Sequence, residues 1–178
     1  DSTITLTLDV KNTGDYAGKD VIQLYGFTPY IKGQIEKSSI QLVAFEKTDL
    51  LNPGETQKDI KLSFNLYDLA SYDAYDKNEN GHKGYELDKG TYTFKLMNNC
   101  HEIKSMDDYL GNSISFDLEE TINYSKDPTT ENTVENRFTA LNSYASTPID
   151  GSSVNIDQNY LTRDDFNKYY PKTTDYST

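Results

Sequence analysis

The residues with the clearest chemical potential lie in one short stretch, Asp76-Lys77-Asn78-Glu79-Asn80-Gly81-His82-Lys83-Gly84-Tyr85-Glu86. Asp76, Asn78 and Asn80 put oxygen-bearing side chains at alternate positions ahead of a glycine. Such spacing can wrap a chain around a hard cation, and calcium favours a cage of oxygens. Asp76, Asn78, Asn80 and Glu86 are therefore candidate calcium ligands. Two features argue the other way. Asn78 and Asn80 are neutral where carboxylates bind better, and Glu86 falls one residue short of the usual bidentate acid, a place held by Leu87. A polar hairpin tip with a type I′ turn at Asn80-Gly81 is the competing reading. The composition fits the hairpin better.

Other reactive groups are sparse. The two histidines, His82 and His101, stand at no metal spacing and beside no nucleophile, so they read as surface or turn residues. Cys100 is the single cysteine, which rules out an intrachain disulfide, and it is expected half-buried at a strand end. Aromatic usage is unusual, with fifteen Tyr, seven Phe and no Trp. Tyr30, Tyr72, Tyr75 and Tyr85 fall in loops or at loop edges, where rings could stack on a sugar. Tyrosine is also ordinary filling for strands.

Charge narrows the partners. Seventeen basic residues against twenty-nine acidic ones leave a net charge of -12. Phosphate binding needs clustered Lys and Arg, so nucleic acid is disfavoured, as is an anionic membrane surface. Neutral sugars and cations stay open. No apolar run is long enough to span a membrane. The chain opens at Asp1 without a leader pattern, and its ends fit a piece of a larger protein. One cysteine and no leader favour a cytoplasmic setting. A mean hydropathy of -0.77 is low for a globular chain and points to a polar tail beside a core.

The elements that must position these groups are strands. Ile4, Leu6, Leu8 and Val10 alternate with polar residues, a period of two that turns one face to a core. The same alternation recurs at Ile60, Leu62 and Phe64, at Tyr92, Phe94 and Leu96, and at Ile114, Phe116 and Leu118. Val21 to Phe27 and Ile40 to Phe45 are denser, as central strands would be. Asn12-Thr13-Gly14-Asp15 reads as the turn closing the first strand pair, and Asn52-Pro53-Gly54-Glu55 as a type II turn. Asn65 can cap a helical turn that carries Leu66, Asp68 and Leu69. Seven or so short strands with little helix predict an all-β sandwich of immunoglobulin or fibronectin type III-like kind, with an irregular C-terminal extension.

Together the runs KNTGDYAGKDVIQLYGFTPY, IEKSSIQLVAFEKTDLLNPGE, FNLYDLASYD and GYELDKGTYTFKL resemble the fibronectin type III-like domain of glycoside hydrolase family 3, the β-glucosidases and their relatives. The resemblance implies an accessory module of a β-glucosidase-like parent. Its partners would be the parent's catalytic domains, with the nucleophile and acid/base lying outside this chain. The resemblance places the module at 1–123 and a linker or extension toward a catalytic barrel at 124–178. Gly33-Gln34-Ile35-Glu36-Lys37-Ser38 and Tyr160-Leu161-Thr162-Arg163-Asp164-Asp165-Phe166 resemble stretches of members with a permuted domain order. Pro29, Tyr30, Ile31 and Ile35 are too apolar for a solvated loop. They either press on a neighbouring domain or fold back over the end of the sandwich. With Phe138 and Phe166 they are candidate interface residues. Val134, Phe138, Leu141, Tyr160 and Phe166 are expected to pack the extension against the sandwich or another chain. The alternatives are a carbohydrate-binding module working through its tyrosines and a calcium-stabilised interaction module.

Overall fold

A computed structural model describes residues 3–104 and 113–134, together with Arg163. The alternating segments become strands. β1 (Thr3–Lys11) pairs antiparallel with β4 (Thr56–Asn65), from Thr3 opposite Asn65 to Lys11 opposite Thr56. A bulge interrupts this ladder between Leu8 and Val10, where Asp59 takes a φ of 57° and gives its N–H to the Asp9 carboxylate at 3.0 Å. β2 (Val21–Phe27) is central in a second sheet, between β3 (Gln41–Lys47) and β7 (Gly90–Asn99). The far edge of β7 is shared by β9 (Ile114–Leu118) along its first half and β8 (Glu102–Ile103) near its end. A third, smaller sheet has the order β10 (Ile122–Tyr124), β6 (Gly84–Leu87), β5 (Ser71–Asp73). Of these ten strands seven have four or more residues, and the others are short additions at sheet edges.

The core lies where the β1–β4 ribbon covers the larger sheet. Leu62 and Phe64 of β4 meet Ile22 and Leu24 of β2 and Tyr92, Phe94 and Leu96 of β7. The Phe64 and Phe94 rings stand 5.1 Å apart. Ile4, Leu6, Leu8 and Val10 are only half-buried against this cluster, because a two-stranded ribbon covers less than the sheet it faces. Asn65 closes the ribbon by capping a single 3-10 turn, Leu66–Leu69. Its Oδ1 accepts from Tyr67 N–H at 2.9 Å, while Asp68 accepts from Asn65 N–H at 3.2 Å. Leu69 then drops into the core over Gly26, where an added Cβ would stand 3.3 Å from its methyl.

Four expectations need correction. β3 is an edge strand, with Leu42 and Phe45 exposed. Its apolar density reflects a bulge that turns both Val43 and Ala44 partly inward, where a regular pleat would bury only one. Asn12-Thr13-Gly14-Asp15 joins two sheets rather than a strand pair. The Asn12 amide holds it there by donating to Tyr16 and Leu51 carbonyls, each at 2.8 Å. Ile114, at the exposed start of β9, faces solvent. Cys100 is exposed in the turn between β7 and β8. The Asn52 turn forms as expected, with Gly54 at a φ of 78° and Glu55 N–H on the Asn52 carbonyl at 2.9 Å.

Candidate functional site

The loop 74–83 joins β5 to β6, so a hairpin is present, with Tyr72 opposite Tyr85 and Asp73 opposite Gly84. Its connection is ten residues long, and Asp76, Glu79 and Gly81 carry the positive φ angles. A type I′ turn at Asn80-Gly81 would need one at Asn80 as well. The asparagines shape the loop instead by binding their own backbone. Asn78 Oδ1 accepts from Asn80 N–H at 3.2 Å, and Asn80 Oδ1 from His82 N–H at 2.8 Å. Asp76 accepts from Gly81 N–H through both oxygens, at 3.1 and 3.2 Å.

With their oxygens committed, the two amides aim nitrogen inward. Asn78 Nδ2 donates to Glu86 Oε1 and Asn80 Nδ2 to Glu86 Oε2, both at 2.6 Å. Glu86 is wholly buried. Burial pushes its carboxyl above the ordinary range, the Asn80 hydrogen bond draws it back, and the charges of Asp88 and Asp73 raise it again. Asn78 Nδ2 also reaches Asp88 at 3.2 Å, and Asp88 is ion-paired with Lys37. Buried Asp73 starts the loop by accepting from Tyr75 N–H at 3.0 Å and Lys77 N–H at 2.6 Å. The structure therefore brings Asn78, Asn80 and Glu86 together and turns Asp76 toward Gly81. Lys37, Asp73 and Asp88 belong to the same cluster, although no motif marks them.

The loop 28–38 has two sides. Ile35 is buried at 3% exposed, whereas Ile31 is 54% exposed. Pro29 is half-buried and lies so near Gly90 that a Cβ there would meet its ring at 3.0 Å. Lys37 inserts beside Ile35, its side chain 5% exposed, to reach Asp88. Tyr30 is half-buried and donates its hydroxyl to Glu36 Oε2 at 3.3 Å. The Arg163 guanidinium stands over the Tyr30 ring, 4.1 Å from its centroid, and Arg163 N–H reaches Glu36 Oε1 at 2.7 Å. Phe138, Leu141, Tyr160 and Phe166 lie outside the described residues. Val134 is half-buried, and its N–H closes a loop onto the Ser125 carbonyl at 3.1 Å.

The tyrosines divide between two places. Tyr72 meets Tyr85 edge-on at 5.0 Å, and Tyr67 packs against Tyr85 at 5.7 Å and Tyr124 at 4.8 Å. This row runs along the β5-β6-β10 sheet, so its rings are tilted to one another rather than coplanar. Tyr67 and Tyr124 were not among the candidates, although Tyr124 follows the strand alternation and Tyr67 sits inside the Asn65 cap. Burial, then the Asp127 carboxylate, holds the Tyr67 phenol above its ordinary value. Asp127 is held low by N–H donors of Thr130 and Thr129. Tyr75 is exposed in the 74–83 loop. A cleft of about 220 Å³ separates Glu36, Lys37 and Ser38 from Tyr72.

Residues 20–99 match the Fn3-like family model, described as a fibronectin type III-like domain. This segment is a fibronectin type III-like domain. Several of the proteins similar to this chain are β-glucosidases, and one is a putative β-xylosidase of Formosa agariphila. The chain is 34% identical to β-glucosidase A of Butyrivibrio fibrisolvens over 104 residues, 58% of this chain and 12% of that one. It is 37% identical to the β-glucosidase of Ruminococcus albus over 94 residues, 53% and 10% of the two chains. The chain thus spans only about a tenth of the curated relatives it matches. Among solved structures, β-glucosidase 3B from Thermotoga neapolitana superposes with a TM-score of 0.53 at 32% identity, covering 69% of this chain and 15% of that one. A β-glucosidase from Paenibacillus barengoltzii gives 0.54 at 34% identity, over 68% and 12%. The matched segment holds β2 to β7, and the loops 28–38 and 74–83 are among its connections.

Proposed function

We propose that the chain is a non-catalytic accessory module of a family 3 β-glucosidase-like enzyme, packing against and positioning that enzyme's catalytic domains. The observation that carries this reading is the match itself. A fibronectin type III-like domain accounts for the region shared with much longer β-glucosidases. The chemistry of the loops agrees. Glu86 and Asp73, the buried carboxylates, spend their oxygens on amide and backbone donors within the fold. The exposed Ile31, Leu42 and Phe45 offer apolar surface to a neighbour. The resemblance of 33–38 and 160–166 to permuted members favours a parent ordered as α/β-sandwich domain, this module, then barrel. The purified chain is expected to release no aglycone from an aryl β-glucoside above background, and clear turnover would overturn the reading. A flanking gene sequence without a barrel would overturn the parentage.

A carbohydrate-binding reading is favoured by one observation, the exposed faces of Tyr75 and Tyr85 near the cleft-lining Tyr72. Calorimetric titration with cello- and laminari-oligosaccharides separates it from the accessory role, for which no heat of binding is expected. The calcium reading predicts a chelator-sensitive melting temperature. We expect EDTA to leave the melt unchanged, because the Asn78 and Asn80 amides already occupy both oxygens of Glu86.

A further inference from the structure

We propose that Tyr30 and Glu36 form a receptor for Arg163, a clamp that holds this residue on the 28–38 loop. Three contacts meet at one point. The guanidinium lies 4.1 Å from the Tyr30 centroid, close enough for a cation–π contact. The Arg163 main-chain N–H donates to Glu36 Oε1 at 2.7 Å. The other Glu36 oxygen accepts the Tyr30 hydroxyl at 3.3 Å. One carboxylate therefore sets the ring and receives the backbone that the ring has captured. Its two oxygens divide these tasks.

The receptor is built before its occupant arrives. Ile35, next to Glu36, is buried, and Lys37 on the other side is ion-paired to Asp88. Pro29, next to Tyr30, rests against Gly90. Both clamp residues are thus flanked by anchored neighbours, so little freedom is lost when Arg163 docks. The occupant lies 127 residues further along the chain. Closing so long a loop is tolerable, because its cost grows only with the logarithm of length. The site also selects its cation. A planar guanidinium lies flat on a phenol face, whereas a lysine ammonium is a compact, strongly hydrated charge. The clamp does not depend on the parentage proposed above, since both partners are in this chain.

Trypsin cleavage after residue 163 in the full chain tests it, because the protease must take the side chain that Tyr30 holds. With the fold checked by circular dichroism, Tyr30→Ala and Glu36→Ala are each expected to cut there about five-fold faster than wild type, matching the loss of one contact of this kind. Tyr30→Phe keeps the ring and is expected to retain most of the protection. Arg163→Lys keeps a cleavable cation and is expected to lose it. Equal cleavage in wild type, Tyr30→Ala and Glu36→Ala would overturn the clamp. Glu36 is exposed, so its variant tests the proposal even if Tyr30→Ala unfolds. Amide exchange at Arg163 gives a second readout, with protection expected in wild type and lost in Glu36→Ala. An unprotected wild-type amide would also overturn the proposal.

Discussion

Glu86 shows how a fold can bury an acid against amide donors. Two asparagine amides do the work of a counter-ion, and each can do so only because its own oxygen is occupied by a backbone N–H. The arrangement has a pH signature. Burial raises the Glu86 carboxyl above 4.5, so the folded chain holds this proton more firmly than the unfolded chain. Its contribution to stability is complete below the unfolded pKa and is lost as pH rises through the folded one. Urea denaturation between about pH 4 and 7 is expected to show this downward slope in wild type and a flatter curve in Glu86→Gln. Parallel curves would sink the idea. Glu86→Ala takes the shared acceptor from half-buried Asn78 and exposed Asn80 and empties a wholly buried site, and is expected to cost about 1–3 kcal/mol. Lys37→Met leaves Asp88 without its cation and is expected to cost about 3 kcal/mol, read as a lower urea midpoint. The sequence pattern singled out Asp76, Asn78, Asn80 and Glu86 as a group, and three of them do meet. Their geometry was not legible, because spacing does not say which end of an asparagine amide points inward. Lys37 was invisible for another reason. A lysine in a polar run carries no local sign that a carboxylate waits some fifty residues away.

At the scale of elements, period-two alternation was a sound guide in β4 and β7. Ile60, Leu62 and Phe64, and Tyr92, Phe94 and Leu96, all reach the core as their spacing requires. The guide failed at β3, because apolar density cannot separate a central strand from a bulged edge strand with an exposed face. Phe45 is 66% exposed, so Phe45→Ser is expected to change stability by less than about 0.5 kcal/mol in the free chain. A large loss on thermal denaturation would mean that β3 is covered. Gly26 is the contrary case. It is flat because Val43, Leu69 and Phe94 all press on it, with approaches of 3.1 to 3.3 Å to an added Cβ. Gly26→Ala is expected to cost about 1–3 kcal/mol by overpacking, seen as a lower melting temperature. The Asn65 cap was readable from residue types alone, since Asn65 and Asp68 stand at capping-box spacing before an apolar pair.

For the molecule as a whole, the β1–β4 ribbon is the feature with the widest consequence. An isolated pair of strands is marginal in water, so the ribbon is held by what it covers. Its partners are also remote in the chain, Thr3 facing Asn65, and the larger sheet likewise joins Gln23 to Met97. Such pairings must close long loops before they are rewarded, which places refolding in the millisecond-to-second range rather than the microseconds of local folds. With fifteen tyrosines and no tryptophan, stopped-flow tyrosine emission is the natural probe, and a refolding phase in the microsecond range would contradict this topology. While β1 and β4 remain apart, each exposes a bare strand to every other copy in solution. Recovery after denaturation is therefore set by a race, unimolecular pairing of these two distant segments against second-order capture by a neighbour, and its yield falls as concentration rises.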